Sequence, residues 1–340
     1  SRKKNIQKGL FHRVSNGQIS INRLLGVLFE YEGVFAIWSA HQSVFLAEAK
    51  DSDDLVAIKE VAISKKIEKL SIFREIDVMR TFDHKNVLRC LSYDASEARV
   101  RIILEYCPLG SLADLITRTK ESESSLAESE VCDFGRQIAS ALNYIHDLKV
   151  LHRDLKPDNI MVTSGNLLKI CDFGVCRVLQ DGESKANSAK TFVGTIQYCA
   201  PELLQNAAYG PPGDIWGLGT ILVELATLGK PFGESDAFLA ICNRISKGAF
   251  RPLPESYSWK FRSTIQRILQ IEPKNRPTTD ELLKYPLFIQ SDTEVEEYYE
   301  EDFDESSSHS DISDNHDSSQ ISSSIDSSCS SSDYSFNNDS

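Results

Sequence analysis

The chain has 340 residues, 41% of them hydrophobic and 26% charged, which is enough apolar material for a full-sized core. Its formal net charge of −13 is uneven: of its 50 acids, 15 lie from Ser291 onward, where there is no Lys or Arg, so the rest holds 37 basic and 35 acidic residues. That near balance offers no basic face of the kind nucleic acid selects. No run approaches the roughly 18 apolar residues of a membrane span, and the opening residues lack a signal peptide's apolar stretch. Eight cysteines, at 90, 107, 132, 171, 176, 199, 242 and 329, form no C-x-x-C pair. Their scatter argues against zinc and against a disulfide framework and favours a reducing compartment, cytoplasmic or nuclear.

Residues 1–24 hold Arg2, Lys3, Lys4, Lys8, Arg13 and Arg23 and no acid. They read as a flexible basic leader, with a docking arm as the alternative. The opening Ser1, in place of Met, is what a fragment of a longer chain would show. From Val27 to Val61 the pattern is strand-like. Val44 to Ala49 and Leu55 to Val61 alternate and are β-branched, with a polar turn from Lys50 to Asp54 between them. Ser64 to Phe82 reads as helix, and Asn86 to Leu91 and Arg99 to Glu105 as two more strands closing a small antiparallel sheet. Ser111 is placed to cap a following helix. After a polar loop from Lys120 to Ser129, Val131 to Leu148 forms an amphipathic helix with Ile138, Leu142 and Ile145 on one face. His146 on that helix reads as a packing or surface residue.

That helix delivers the chain to its most informative stretch, Val150 to Gly174. Ile160 to Val162 and Leu167 to Ile170 flank a polar turn, so the segment reads as strand, tight turn, strand. A hairpin of this kind brings Asp154, Asn159 and Asp172 together. A carboxylate and an amide at one place suit a hard cation such as Mg²⁺, and a further carboxylate can take a proton from a hydroxyl.

The ordered pair His152-Arg153-Asp154-x-Lys156-x-x-Asn159 and Asp172-Phe173-Gly174 resembles the signature set of the eukaryotic protein kinases, over about Leu25 to Ile289. The resemblance implies an α+β, two-lobed fold, with a small β-rich lobe over about 25–105 and a mainly helical lobe over about 108–289. It implies a protein serine/threonine kinase that moves the γ-phosphoryl group of ATP, with Mg²⁺, to protein substrates. Asp154 would orient the hydroxyl and accept its proton, and Lys156 would neutralise the moving phosphoryl group. Asn159 and Asp172 would ligate Mg²⁺. Val56-Ala57-Ile58-Lys59 matches the strand whose Lys holds the α- and β-phosphates, and Glu75 the helix residue that pairs with it. Val44, Ala57 and Met161 would line the nucleotide cavity, Leu104 would limit its depth, and the backbone of Glu105 and Cys107 would meet the adenine. His152 and Phe173 would be packing residues. Lys156 and Thr195 favour Ser/Thr substrates, and Thr191-Phe192-Val193-Gly194-Thr195 with Arg74-Glu75-Ile76 looks most like the mitogen-cascade upstream and Nek-type groups.

One part departs from the family. The glycines of its phosphate-covering loop fall on Ile37, Ser39 and Gln42, so the backbone loses the freedom to approach phosphates closely. The rival reading that follows is a pseudokinase or scaffold with impaired nucleotide binding. Thr191 sits where an upstream kinase would act, its phosphate pairing with Arg153, and Lys185 and Lys190 are nearby cations. Ser184 and Ser188 are weaker acceptors, and an unmodified loop is the alternative. Asp214, opening an apolar helix to Leu225, would hold the catalytic-loop backbone, and Glu202 with Arg276 would form a buried ion pair. Ala237 to Lys247, Trp259 to Ile271 and Asp280 to Leu283 add further helix. Residues 290–340 read as an acidic, Ser-rich disordered tail, with 17 serines among residues 306–340. Ser308, Ser323 and Ser330 each precede an Asp by three, which suits an acid-directed kinase, with a purely solubilising tail as the alternative.

Overall fold

A computed structural model of the chain describes residues 29–39, 42–49, 54–63, 66–179, 196–234 and 237–289. Five strands form the small lobe's sheet: β1 (Phe29–Ser39), β2 (Gln42–Ala49), β3 (Leu55–Ala62), β4 (Cys90–Ala95) and β5 (Arg99–Glu105), in the order β1-β2-β3-β5-β4. All neighbours are antiparallel. β1 carries three register irregularities against β2, each a point where extra backbone bends the strand. β3 buries Val56 and Ile58 on one face, the alternation its sequence shows, and Val61 on the other.

Helix α1 (Lys66–Met79) lies between β3 and β4 and buries Ile72, Ile76 and Met79, the i, i+4, i+7 stripe of an amphipathic helix. It ends before the Phe82 expected, because Thr81 N–H turns back to the Val78 carbonyl and Phe82 N–H to Met79. The strand expected over Asn86–Leu91 is also displaced, since β4 begins only at Cys90. Asn86 and Leu88 spend their backbone groups on Ile170 instead, with Leu88 N–H donating to its carbonyl at 2.8 Å and Ile170 N–H to the Asn86 carbonyl at 2.9 Å.

The larger lobe follows. Helix α2 (Leu112–Glu121) is capped as expected: the Asp114 N–H donates to Ser111 Oγ, and the Ser111 N–H donates back to the Asp114 carboxylate at 2.7 Å. Helix α3 (Glu128–Asp147) buries Ile138, Leu142 and Ile145. The loop between them is shorter than the Lys120–Ser129 expected, because Lys120 and Glu121 complete α2 and Glu128 opens α3. Four short strands come next: β6 (Val150–Leu151), β7 (Ile160–Thr163), β8 (Leu167–Ile170) and β9 (Arg177–Val178), paired β6 with β9 and β7 with β8. Gly165, at φ +73°, makes the turn between β7 and β8, where a side chain would be strained.

The remaining helices are α4 (Pro201–Leu204), α5 (Pro211–Thr227), α6 (Phe238–Ser246), α7 (Trp259–Ile268) and α8 (Thr279–Leu283). Every residue of α5 from Gly213 to Ala226 is buried, as an all-round apolar helix must be. Fully burying each of its Leu, Ile and Val side chains contributes roughly 1.5–3 kcal/mol. At Gly219 an added Cβ would sit 2.5 Å from Ile268, so glycine is what lets α7 pack directly on α5. This helix is the platform on which the functional loops rest. Among the described residues no helix is long and apolar enough to cross a membrane.

Candidate active site

The site is built where the sheet of the small lobe faces the β6–β9 loops. Lys59 lies in β3, opposite Val44 on one side and Ile102 on the other. The buried stripe of α1 seats that helix so that Glu75 reaches Lys59, with Nζ donating to Oε1 at 3.1 Å. The same ammonium donates to Asp172 Oδ1 at 3.3 Å. Burial acts to lower the Lys59 ammonium, but the Glu75 and Asp172 carboxylates outweigh it and hold the group above the usual lysine range. Burial likewise acts to raise the Asp172 carboxyl, and the Lys59 cation reverses this and holds it below the usual carboxylate range. Two of the three ammonium donors are engaged, leaving one for an incoming anion.

Asp154, Lys156 and Asn159 come together on the loop between β6 and β7. Lys156 Nζ donates to Asp154 Oδ2 at 2.7 Å, and Asn159 Nδ2 donates to the same oxygen at 3.0 Å and to the Asp154 carbonyl at 2.8 Å. The side-chain nitrogen of Asn159 is thus spent on Asp154, and its side-chain oxygen Oδ1 is the atom left for a ligand. The Cys171 N–H donates to the backbone carbonyl of Asn159 at 2.9 Å, which sets the residue before Asp172 beside this loop. Asp172 has φ +63° and Arg153 φ +71°, left-handed conformations that cost non-glycine residues roughly 1–3 kcal/mol and persist only where the surroundings impose them. Gly174 passes so close that an added Cβ would lie 3.3 Å from Asp172 Oδ1 and 3.4 Å from Glu75.

Asp214 supplies much of that imposition. Fully buried at the start of α5, it accepts from the His152 N–H at 3.0 Å and the Arg153 N–H at 2.9 Å. Two partners that the sequence did not reveal complete it: His146 Nε2 at 2.8 Å and the Tyr209 hydroxyl at 2.8 Å. Burial acts to raise the Asp214 carboxyl, and the hydrogen bond from His146 with the neighbouring charges brings it below the usual range. His152 is buried, its Nε2 3.0 Å from the Cys171 carbonyl, and Phe173 packs on it with ring centres 5.1 Å apart. Phe173 also meets Phe82, just past α1, at 4.8 Å.

Around this centre, Ala57 faces Leu104 across β3 and β5, Leu104 is buried, and Val44, Ala57 and Met161 are half-buried. The Glu105 side chain turns away to accept from the Arg89 N–H at 2.6 Å and from Lys169 Nζ at 2.9 Å. Lys169 also donates to the Lys85 carbonyl at 2.9 Å. This brace between β8 and the end of β5 carries no local signature in the sequence. The Cys107 thiol is pushed up to about 12 by burial, so it packs as an inert side chain.

The donor set discriminates between metal sites. Among the described residues no cluster of three or more His, Cys, Asp and Glu could hold a metal by itself. Asp172 and Asn159 Oδ1 offer two hard oxygens, which fits Mg²⁺ that shares its other positions with phosphate oxygens and water. Lys59, with a spare donor, fits a phosphate.

Ile37 and Ser39 fall in β1 and Gln42 in β2, and Ser39 pairs with Gln42, so the ladder runs to the hairpin's end. Ser184, Lys185, Ser188, Lys190, Thr191 and Thr195, the leader, and the tail with Ser308, Ser323 and Ser330 lie outside the described residues. The expected Glu202–Arg276 pair is present, with both guanidinium nitrogens within 2.9 Å of the carboxylate.

The family model for the protein kinase domain matches residues 40–288. The chain is 35% identical over 244 residues to the mouse serine/threonine-protein kinase Nek5, covering 72% of this chain and 38% of that protein. It is 33% identical over 261 residues to human Nek5, covering 76% and 36%, and 32% identical over 246 residues to mouse Nek1, covering 72% and 20%. The chain thus spans well under half the length of these relatives. With the paired Lys59 and Glu75, the Asp154 loop and Asp172 already gathered on one α+β, two-lobed frame, the match leaves one assignment: this chain belongs to the protein kinase family.

Proposed function

We propose that the chain is a protein serine/threonine kinase that transfers the γ-phosphoryl group of ATP to Ser or Thr hydroxyls of protein substrates. The observation that carries this reading is the Lys59 ammonium held between Glu75 and Asp172, 3.1 and 3.3 Å away. A lysine so fixed is a phosphate clamp. When bound, Mg·ATP supplies the phosphoryl group and a divalent charge. Lys59 would grip the phosphates, and Asp172 with Asn159 Oδ1 would hold the metal. Asp154 orients the acceptor hydroxyl and accepts its proton, while Lys156 offsets negative charge on the transferring group. Val44, Ala57, Leu104 and Met161 enclose the adenine, and Glu105 and Cys107 present their backbone to it. The resemblance of Lys156 and Thr195 to the Ser/Thr pattern and the names of the Nek relatives support the choice of hydroxyl. The pseudokinase reading rests on Ile37, Ser39 and Gln42 alone, while Lys59, Glu75, Asp154, Asn159 and Asp172 support the enzyme.

The same proposal takes 25–289 as the catalytic domain, with 1–24 as leader and 290–340 as tail. The buried Arg153 Nε has no hydrogen-bond partner among the described residues, which supports a phosphate on Thr191, added by an upstream kinase, as its partner. Seven free cysteines among the described residues support a reducing compartment, cytoplasmic or nuclear.

The test is transfer of labelled phosphate from Mg·ATP by the purified chain to matched peptides bearing Ser, Thr or Tyr. Incorporation into the Ser and Thr peptides is expected, with Asp154→Ala slower by about 10²–10³. Label on tyrosine alone, or equal rates with Asp154→Ala, overturns the reading.

A further inference from the structure

A second cavity is built from none of the residues assigned to phosphoryl transfer. The end of α7, the turn Pro273–Asn275 and the segment carrying α8 enclose about 360 Å³. That volume is at the small end of the range for ligand sites. Its polar walls are Arg267, Lys274, Asn275, Arg276, Glu281 and Tyr285.

The charges there are unbalanced, because the acids are already taken. Arg276 turns inward, with both terminal nitrogens on Glu202 and Nε on the Gln270 carbonyl, so its charge is matched. Glu281 is spent on the cap of α8, its carboxylate accepting from the Thr278 N–H at 2.7 Å. Asp280 beside it is held by Lys284 at 2.6 Å, and Glu272 does not line the cavity. Arg267 and Lys274, by contrast, have no carboxylate partner among the described residues. Neither closes on Glu281, although all three line the same space. The side-chain contact of Arg267 is with the Tyr285 hydroxyl at 3.5 Å, a long bond that a stronger acceptor displaces. Both cations are exposed and can turn to meet a ligand.

Two unmatched cations, an amide and a phenol suit an anion with several oxygens. A phosphate monoester carries close to two negative charges and three acceptor oxygens at neutral pH. A guanidinium meets two such oxygens in one plane. A carboxylate brings a single charge and would leave one cation unmatched. Asn275 offers a donor and an acceptor, which is what a peptide backbone running past the phosphate needs.

We propose that this cavity binds a phosphorylated serine or threonine carried on a polypeptide, with Arg267 and Lys274 on the phosphate, Tyr285 as a further donor and Asn275 on the neighbouring backbone. Under the kinase reading that ligand is the reaction's own product, so the site keeps the chain on a partner already phosphorylated. The binding itself does not rest on that reading.

The probe is a labelled, otherwise uncharged peptide with one central phosphoserine, beside its serine parent, read by fluorescence anisotropy at fixed ionic strength. The natural chain should bind the phosphopeptide at least about tenfold more tightly than the parent, and Arg267→Gln/Lys274→Gln should lose about that factor. Arg267→Lys/Lys274→Arg, which keeps both charges, should retain most of the affinity. Arg153→Gln, which removes the other guanidinium offered to a phosphate, should bind within about twofold of the natural chain. Thermal melts are expected to coincide for the natural chain and both double variants, since neither exposed cation makes a short bond. Phosphopeptide affinity unchanged in Arg267→Gln/Lys274→Gln overturns the proposal and leaves two solvated cations. A loss confined to Arg153→Gln also overturns it, because the phosphate then sits elsewhere. Inorganic phosphate that displaces the peptide at concentrations equal to the peptide's own Kd reduces the site to one for the free ion. Vesicles containing phosphatidylinositol phosphate that bind the natural chain but not Arg267→Gln/Lys274→Gln, with no preference for the phosphopeptide, reassign it to a membrane. Either result overturns the polypeptide ligand. Absence of phosphoryl transfer counts against the kinase reading alone, because anisotropy decides this site.

Discussion

Removing one side of the Glu202–Arg276 pair should destabilise the domain, and by unequal amounts. The Arg276 side chain is fully buried and uses all its donors: both terminal nitrogens reach Glu202 at 2.8 and 2.9 Å, and the rest meet the carbonyls of Pro212, Gln270 and Ile271 at 2.7–2.9 Å. Its guanidinium also lies 5.0 Å from the Trp216 ring centre. Glu202→Ala leaves the guanidinium three backbone acceptors, so the cost sits near the low end of the roughly 3–5 kcal/mol for breaking a buried pair. Arg276→Met strands the carboxylate and leaves three buried carbonyls without their donor, each worth about a further 1 kcal/mol, so its cost reaches the high end or beyond. At about 2–4 °C per kcal/mol for a domain of this size, the melting points should fall by roughly 6–12 °C and 10–20 °C. The double variant Glu202→Leu/Arg276→Met should cost less than the sum, since neither charge is then stranded. Urea unfolding followed by circular dichroism measures all three. A loss below about 1 kcal/mol for Arg276→Met, or a larger loss for Glu202→Ala, refutes the reasoning from the bonding pattern.

Two further outcomes follow from Asp214 and from the charges around Lys59. Asp214→Asn keeps the shape but turns an amide NH₂ toward groups that are all placed as donors, the His152 and Arg153 N–H and the Tyr209 hydroxyl, so stability should fall by about 2–4 kcal/mol and phosphoryl transfer with it. Unchanged melting and unchanged rate would contradict this. The Asp172 and Asp214 carboxyls titrate lower in the folded chain than in the unfolded one, so their stabilisation is in place above the ordinary carboxylate pKa of about 4 and disappears as pH falls through the folded values. Lys59 titrates higher when folded, so its contribution is in place below the ordinary lysine value and lost as pH rises through the folded one. Urea midpoints should therefore decline below about pH 4, less steeply in Asp214→Asn, and a midpoint that holds or rises there would be inconsistent with the pairing.

Much of the site is legible in the sequence because its parts are local. Asp154, Lys156 and Asn159 share one loop, and a short hairpin with Gly165 at its turn carries the chain directly to Asp172. Lys59 and Glu75 sit far apart in sequence yet each belongs to an element with a clear period, a strand and a helix, whose buried faces dictate where the charged residue points. Where pairing partners are both distant and unmotivated by pattern, the sequence is silent. His146 is one polar residue on an amphipathic helix and Tyr209 one aromatic in a loop; only the fold brings both to Asp214. Lys169 with Glu105, and Lys230 with Glu224 and Tyr198, are likewise unions of unrelated segments. The displaced start of β4 has the same origin, since Asn86 to Leu88 have strand-like composition but are claimed by β8.

The most direct test of the clamp is ATP affinity with and without Mg²⁺, measured by titration calorimetry for the natural chain and for Asp172→Asn. If Asp172 and Asn159 Oδ1 hold a metal shared with the phosphates, Mg²⁺ should tighten ATP binding in the natural chain, and Asp172→Asn should lose most of that gain while both proteins melt cooperatively. An equal gain from Mg²⁺ in both proteins would contradict the account.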